Sequence, residues 1–277
     1  MQDISSLVGL KTTLMIDRKT EFGFYLVKED LEGEVLLPNI YANELDEGTK
    51  KVEVFIYTDS EDRLVATTLT PFMFLGEIGA LKVKDRVENG IFLDMGLAKD
   101  LFMPTKYPKN YPLDSKVVVT LQKDLSNRLI AKKDISIAFK PCKDKSFLSK
   151  NLKALVVGKS DLGYSCVIGN YPGMLYSNEV FCELHIGEIY TVGVKNIRND
   201  GKLDLVIRTD KNATKEKILS ILESKNTPFI FEKDNALELG ISFKELKRTL
   251  SLLVNENKIS FIKDEGYIIC PSPKTKS

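Results

Sequence analysis

The chain has 277 residues, of which 43% are hydrophobic and 29% are charged, and its formal net charge at pH 7 is +1. This composition is typical of folded globular proteins and excludes a chain that is disordered throughout. No apolar run approaches the ~20 residues of a membrane-spanning helix, and the opening residues lack a secretory signal. The four cysteines show no paired spacing, as expected of free thiols. The sequence therefore predicts a cytoplasmic protein of roughly two to four domains with no membrane partner.

Charge is distributed unevenly along the chain. Residues 1–73 carry 7 Lys and Arg against 14 Asp and Glu, whereas residues 74–149 carry 14 against 9. Residues 150–210 balance at 7 against 7, and residues 211–277 carry 12 against 9. Because phosphates bind where the local potential is positive, a nucleic acid is expected to favour the second and last segments. The alternative is that this asymmetry reflects only solvated surfaces.

One sequence pattern occurs twice at an interval of 67 residues. Gly9 corresponds to Gly76 and Gly23 to Gly90, and the text around them is alike: GLKTTLMIDRKTEFGFYLV in the first copy, GEIGALKVKDRVENGIFLD in the second. A weaker third copy places Gly163 73 residues after Gly90. Repeats of this length are complete small domains rather than the units of a solenoid.

Each copy predicts the same five short strands. Alternating apolar positions lead to the glycine, two further strands follow, and a closing hairpin turns at a polar loop, at residues 58–62, 123–127 and 198–201. Five strands without a long helix are typical of the closed OB-fold barrel. We therefore expect a mainly β protein with a small α+β tail. The expected domains are three tandem barrels and a winged-helix domain, at residues 1–73, 74–149, 150–210 and 211–277.

The last segment changes from strand to helix periodicity. Ile218, Ile221 and Leu222 have helical spacing, and Ser242 with Glu245 forms a capping-box pattern at the start of a later helix. A hairpin turning at residues 264–266 completes the order of a winged helix, and residues 271–277 are expected to fray. The later helix would expose three cations to nucleic acid or a protein partner: Lys244, Lys247 and Arg248. A solvated helix face is the alternative.

The second copy carries a resemblance to a known fold. The phrase GEIGALKVKD…NGIFLDMGLAKDLFMPT resembles the S1 RNA-binding fold, and the whole chain resembles the conserved virulence factor B (CvfB) family. That family joins several such barrels to a C-terminal winged helix and binds RNA. The resemblance implies a protein in which exposed aromatic side chains stack on unpaired bases while nearby cations neutralise phosphates.

The resemblance implies a binding face on the second barrel. Phe92 follows the glycine at the family's aromatic position, and Phe102 lies on the next strand; the alternative is that both belong to the core. Regular alternation would place Lys82, Lys84 and Arg86 on one face of the preceding strand. The alternative is that this face is only solvated and binds no ligand. The remaining candidates of this barrel are Lys132 and Lys133, at the end of the last strand.

The first and third barrels depart from the family pattern. The first keeps Phe22 and Tyr25 as candidate platforms around Gly23, but its acidity should repel phosphate, so a spacer or protein-contact role is open. The third has Ser165 where an aromatic is expected and keeps Tyr164 nearby. Family barrels also place a histidine on the third strand. We expect the equivalent positions here to be Leu37, Met103 and Tyr176, so this contact is missing from the first two barrels.

Nothing in the sequence forms a catalytic or metal-binding motif. His185 is the single histidine and neighbours no cysteine or serine motif. Asp94 and Asp100 match no ligand spacing and are interpreted as solvent-facing turn residues. We expect no enzyme activity, cofactor or metal. Three hypotheses remain: a single-stranded RNA binder that regulates gene expression after transcription, a DNA-binding transcription regulator acting through the winged helix, and an RNA-degrading enzyme or its accessory factor.

Overall fold

The described residues of the computed structural model are 2–43, 45, 48–208 and 210–270. The chain forms two compact units, residues 1–140 and 141–277. Within the described residues there are three five-stranded barrels, two closed and one nearly closed, followed by helices and a hairpin. The mainly β fold expected from the sequence is confirmed. The tail at residues 271–277, expected to fray, lies outside the described residues.

The first barrel is closed and buries one face of its strands. The strands pair in the order β2-β3-β5-β7-β6, with β5 parallel to β7 and the other pairs antiparallel. A small parallel pair, β1 with β4, lies beside it. The strands of this part of the chain are β1 (Gln2–Asp3), β2 (Lys11–Lys19), β3 (Gly23–Val27), β4 (Leu31–Glu32), β5 (Val35–Pro38), β6 (Lys51–Thr58) and β7 (Leu64–Thr67).

The second barrel follows the same plan in the first compact unit. Its strands form one sheet in the order β10-β9-β8-β11-β12, and β10 lies beside β12 where the sheet curls round. Its strands are β8 (Ile78–Val87), β9 (Gly90–Leu93), β10 (Leu101–Pro104), β11 (Lys116–Lys123) and β12 (Leu129–Lys132).

The third barrel, in the second unit, is closed in the order β13-β14-β15-β17-β16. Its strands are β13 (Asn151–Ser160), β14 (Gly163–Ile168), β15 (Tyr171–Tyr176), β16 (Ile189–Ile197) and β17 (Leu203–Ile207). Short 3-10 helices connect the strands of the three barrels at Ile4–Leu7, Asn39–Tyr41, Pro108–Asn110, Ile135–Ala138, Lys145–Ser149 and Ser177–Glu179.

Strand β6 is buried on both faces, which joins the first two barrels into one body. Val54 and Ile56 point into the core of the first barrel. Phe55 and Tyr57, on the opposite face, belong to the core of the second barrel. This explains the continuous apolar run FIY in a strand that alternation alone would leave half exposed. The domain boundary predicted at residues 73 and 74 stays a prediction, since the apolar core is continuous across it.

The repeat is visible in irregular features as well as in the strands. The first strand of each barrel carries a β-bulge, at residues 16–18, 83–85 and 156–158. The closing hairpins of the first two barrels share one turn, in which an aspartate accepts hydrogen bonds from backbone N–H groups two and four residues later. Bulges and turns of this kind depend on local backbone geometry, so their recurrence supports duplication of a whole barrel.

The C-terminal elements occur in the order expected from the sequence. Helices α1 (Lys211–Lys225), α2 (Lys233–Glu238) and α3 (Phe243–Asn255) precede a hairpin of β18 (Ile259–Ile262) and β19 (Gly266–Ile269). Helix α3 begins as predicted, because the Ser242 hydroxyl accepts a 3.1 Å hydrogen bond from the Glu245 N–H. The description of this group as a winged helix stays an interpretation. Among the described residues, no helix is long and apolar enough to cross a membrane.

We predict that Gly163→Ala destabilises the third barrel far more than Gly169→Ala. Both glycines have positive φ, +137° and +58°, so both substitutions strain the backbone. A Cβ at position 163 would also lie 2.1 Å from the Leu175 carbonyl oxygen, whereas nothing lies within 4 Å of one at position 169. The free energy of unfolding, measured by urea titration, should fall by ~2 kcal/mol more for Gly163→Ala. Equal losses would contradict the importance of this close strand crossing.

Candidate nucleic-acid interface

Phe92 and Phe102 lie side by side on the outer face of the second barrel. The two residues are directly opposite each other on β9 and β10. Their ring centroids are 5.4 Å apart, with an interplanar angle of 52°. Their strand neighbours Ile91 and Met103 point inward and are buried, whereas both phenylalanines are half-buried. The structure therefore places the two predicted aromatic residues together, outside the core.

Gly90 makes room for the Phe102 ring. Gly90 opens β9 opposite Pro104, one step along the outer face from the aromatic pair. A Cβ at this position would lie 2.3 Å from the Phe102 Cε2 atom and 2.7 Å from the Met103 carbonyl oxygen. Any larger residue would displace the ring, so the glycine that marks the repeat also sets the position of the aromatic surface.

A groove of about 420 Å³ runs beside the aromatic pair. Its apolar wall continues from the two phenylalanines to Leu129 and Ile130 of β12. Its polar wall holds both acids and cations. Together, the groove is lined by Asp62, Phe92, Lys99, Asp100, Phe102, Pro104, Asp124, Arg128, Leu129 and Ile130. We call this set the aromatic groove.

The two cations of the aromatic groove are held by acids. The Lys99 ammonium donates a 2.6 Å hydrogen bond to the Asp59 carbonyl and lies 3.7 Å from the Asp62 carboxylate. The Arg128 guanidinium lies 2.9 Å from the Asp124 carboxylate and 3.3 Å from that of Asp62. Hydrogen bonding with Asp124 raises the pKa of Arg128, as expected for a guanidinium held by carboxylates. Asp62, in the closing hairpin turn of the first barrel, thus helps to neutralise Lys99 and Arg128 of the second barrel.

Asp100 differs from the other acids of the aromatic groove. Within the described residues, no hydrogen bond or ion pair engages its carboxylate, although it is half-buried. Burial raises its pKa; the Lys84 charge acts against this, and Asp94 and Asp85 reinforce it. The sequence interpretation of Asp100 as a solvent-facing turn residue holds only in part, because the residue is partly exposed but lines the aromatic groove immediately before β10. In the described part of the chain, no group of three or more His, Cys, Asp or Glu is arranged to hold a metal.

The predicted common face of Lys82, Lys84 and Arg86 is not formed. The bulge in β8 shifts its register, so that Val83 lies opposite Leu93 whereas Arg86 lies opposite Ile91. Lys84 is the extra residue of the bulge, and beyond it Arg86 takes the side of the strand that would otherwise point inward. All three cations are nevertheless exposed, and no ion pair engages them within the described residues.

The other two cations of the second barrel lie at the end of β12. Lys132 is exposed and lies opposite Thr120 of β11. Lys133 follows the strand, and its ammonium lies 5.8 Å from the centroid of the Tyr111 ring. Neither residue lines the aromatic groove. Tyr111 was missed by the sequence reasoning because it lies in a connector, outside the repeated strand pattern.

The first barrel has its aromatic platform covered. Tyr25 occupies the position that corresponds to Phe92, two residues after the glycine. The Arg18 guanidinium lies 4.1 Å from the centroid of the Tyr25 ring and donates hydrogen bonds to the Glu34 carboxylate. This cation occupies the ring face that a base would need. Phe22 is 65% exposed and lies just before β3, outside this stack.

The third barrel has no aromatic pair at the positions that correspond to Phe92 and Phe102. Ser165 lies opposite Met174 at the positions of Phe92 and Phe102. Tyr164 is buried in the core. The predicted equivalence of Tyr176 with Leu37 and Met103 was wrong. The register places Leu175 there instead, one residue before Tyr176, the partner of Gly163, and this position is buried in all three barrels.

A second groove, of about 310 Å³, lies in the second compact unit. Lys244 and Arg248 of α3 line one wall, and Arg208, after the last strand of the third barrel, lines another. Lys215 also contributes but pairs with Glu256. Lys247 is exposed outside the groove, with its ammonium 4.6 Å from the centroid of the Phe243 ring. We call this second groove the basic groove. It is lined by Val206, Ile207, Arg208, Lys215, Ser242, Lys244, Glu245, Arg248, Thr249 and Leu252.

Comparison with known proteins finds a family similarity in the first two repeated segments. An S1 domain family matches residues 8–69 and 75–132, which contain the five barrel strands of the first and second barrels. The uncharacterized protein YitL of Bacillus subtilis (strain 168) is 40% identical over 111 residues. That match covers 40% of this chain and 37% of the relative, so it spans little more than a third of the relative's length.

Two solved structures can be aligned with most of the chain, at low identity and low TM-score. A multidomain protein with nucleic acid binding domains from Streptococcus pneumoniae TIGR4 is 20% identical; the alignment covers 95% of this chain and 99% of that one, with a TM-score of 0.45. The CSD456 segment of Drosophila Unr is 14% identical; the alignment covers 71% of this chain and 94% of that one, with a TM-score of 0.18. At these scores neither superposition adds to the fold described above.

Proposed function

We propose that this protein binds single-stranded RNA in the cytoplasm and regulates gene expression after transcription, without catalysing a reaction. The observation that carries the proposal is the outward-facing pair of Phe92 and Phe102, with their centroids 5.4 Å apart on a domain that matches the S1 family. The choice of RNA and the regulatory role rest on the resemblance of the chain to the CvfB family.

The aromatic pair suits unpaired bases. A base in a duplex is stacked on its neighbours and cannot lie on a protein ring, whereas an unpaired base can. Each base stacked on an aromatic side chain contributes ~1–3 kcal/mol, largely independent of sequence. The half-buried rings are fixed by their strands and by Gly90, so little side-chain entropy is lost when a base binds.

Free cations near the pair supply the phosphate contacts. Lys82, Lys84 and Arg86 are exposed without ion pairs in the described part of the chain, whereas Lys99 and Arg128 are already neutralised. The sugar-phosphate backbone of the RNA is therefore expected to follow β8, with its bases turned toward β9 and β10. Because the bulge keeps the three cations off one common face, their charges are spread around the end of β8. This arrangement suits a flexible single-stranded RNA better than a rigid duplex.

The basic groove supports a further contact with the nucleic-acid backbone. Arg208, Lys244 and Arg248 place three cations around one concavity. A recognition helix needs an open face to enter a DNA major groove. Here Lys244 and Arg248 share their groove with the third barrel, which favours a single strand. The alternative, a DNA-binding regulator acting through a winged helix, requires that this unit alone binds duplex tightly.

Fluorescence anisotropy tests the phosphate contacts. We expect single-stranded RNA to bind more tightly than matched single-stranded or duplex DNA. Changing Lys82, Lys84 and Arg86 to Ala should reduce the slope of log affinity against log salt by ~2, because each phosphate contact contributes ~0.7 for a single strand. The matched control changes three exposed lysines of the first barrel, Lys19, Lys50 and Lys51.

An unchanged slope in the triple variant, or an equal loss in the control, would show that β8 does not carry the contact. Tighter binding of duplex DNA would favour the transcription-regulator alternative. The RNA recovered from each titration should also be run on a denaturing gel, since shortened RNA would favour a nuclease or a nuclease accessory.

A single tryptophan reports directly on stacking, because the natural chain contains none. We predict that RNA quenches the fluorescence of Phe92→Trp, since a base stacks on the indole. The control is Ser165→Trp, at the corresponding position of the third barrel, which should change little. Phe92→Ala and Phe102→Ala should each weaken binding roughly tenfold. Quenching in the control but not in Phe92→Trp would move the site to the third barrel.

The basic groove gives a separate prediction. Lys244→Ala combined with Arg248→Ala should weaken binding of RNA long enough to extend past one barrel, because two phosphate contacts are lost. The charge-matched control, Lys217→Ala with Lys233→Ala, removes two exposed lysines that do not line the groove. Electrophoretic mobility shift with RNAs of increasing length measures the effect. Equal affinities for both double variants would show that the basic groove does not contact the RNA.

A further inference from the structure

The aromatic groove is chemically unsuited to a phosphate. It contains three carboxylates, from Asp62, Asp100 and Asp124, and only two cations. Both cations are already held by carboxylates or a carbonyl, as described above. A phosphate entering the groove would therefore meet net negative charge and displace existing ion pairs. A neutral, flat group with hydrogen-bond donors at its edge fits better.

Asp100 is the groove carboxylate that remains able to accept hydrogen bonds. Asp124 accepts from two backbone N–H groups and from Arg128, and Asp62 contacts Arg128 and Lys99. The Asp100 carboxylate has no such partner within the described residues, and it is partly removed from water. An acceptor in this setting gains more from a donor supplied by a ligand than an exposed one does.

Asp100 also lies beside the stacking platform, in the lining of the same groove. It precedes β10 by one residue and lines the same groove as Phe102, two residues later. Residues two apart along a strand point to one face and are separated by ~7 Å. A base stacked on the phenylalanine ring would thus present its edge, not its face, to the carboxylate.

We propose that Asp100 reads the Watson–Crick edge of a base stacked on Phe92 and Phe102, and that it selects guanine. This inference rests on the proposed RNA-binding function and adds a base preference to it. Guanine offers two adjacent donors, N1–H and the N2 amino group, which match the two oxygens of one carboxylate. Adenine and cytosine each offer one amino donor beside an acceptor. Uracil offers one N–H between two carbonyl oxygens, which the carboxylate would repel.

The test uses RNA hexamers of uridine in which one central position is guanine, inosine, adenine, cytosine or uracil. Inosine keeps N1–H but lacks the N2 amino group, so it removes one donor with little change in shape. We expect wild-type protein to bind the guanine hexamer roughly tenfold more tightly than the inosine and uracil hexamers, measured by anisotropy at moderate salt.

Asp100→Asn is the decisive variant because it preserves the side-chain volume while replacing one acceptor oxygen with an NH2 donor. It should bring the ratio of guanine to inosine affinity close to one. Binding of the all-uridine hexamer should change less than twofold. Asp30→Asn, which removes the same charge from an exposed loop position of the first barrel, is the matched control and should keep the guanine preference. Thermal unfolding of each variant checks the fold.

The outcomes separate the two proposals. RNA binding without a guanine preference, or a preference that survives in Asp100→Asn, overturns the role of Asp100 and leaves RNA binding intact. Loss of the preference in both Asp100→Asn and Asp30→Asn would show a general charge effect and also overturns it. A wild-type protein that binds none of the hexamers overturns the proposed function itself, and the base preference with it.

Discussion

The burial of both faces of β6 positions the candidate interface. Val54 and Ile56 fill the first barrel, while Phe55 and Tyr57 fill the second, so the strand belongs to two cores at once. Its hairpin turn is thereby held against the second barrel, where Asp62 meets Lys99 and Arg128. Without this shared strand, the groove beside the aromatic pair would lose Asp62 from its lining, and Lys99 would lose the partners that neutralise it.

Three copies of one barrel have acquired different surfaces on a common frame. The glycine, the bulge and the closing hairpin recur in each. The outer-face pair changes from Tyr25 and Leu36 to Phe92 and Phe102 and then to Ser165 and Met174. Arg18 further covers the tyrosine of the first copy. Within the described residues, the second copy therefore presents two outward-facing aromatic rings. The first copy contributes to this surface by packing β6 against the second barrel and by pairing acids with its cations.

Opposite charges have separate tasks in the proposed interface. Cations along β8 suit the phosphates, whereas the carboxylates of the aromatic groove suit the edges of bases. A groove that excludes phosphate directs the backbone of a bound strand to its rim, so the bases turn inward. This division also explains how a protein with a formal net charge of only +1 can present a nucleic-acid surface. Local arrangement, not total charge, sets the potential.

The barrels, their order and the helical tail could be predicted from local sequence patterns, because alternation, turn residues and helix caps act over a few residues. The sequence also identified Phe92 and Phe102 as candidates. The packing of the strands places both rings outward, and a bulge turns Arg86 away from its neighbours. Within the described residues, the same packing leaves the Asp100 carboxylate without a hydrogen bond or ion pair. Lys99 and Arg128 meet the first barrel across 40 and 66 residues of sequence. Such contacts depend on how whole barrels pack, which no local pattern specifies.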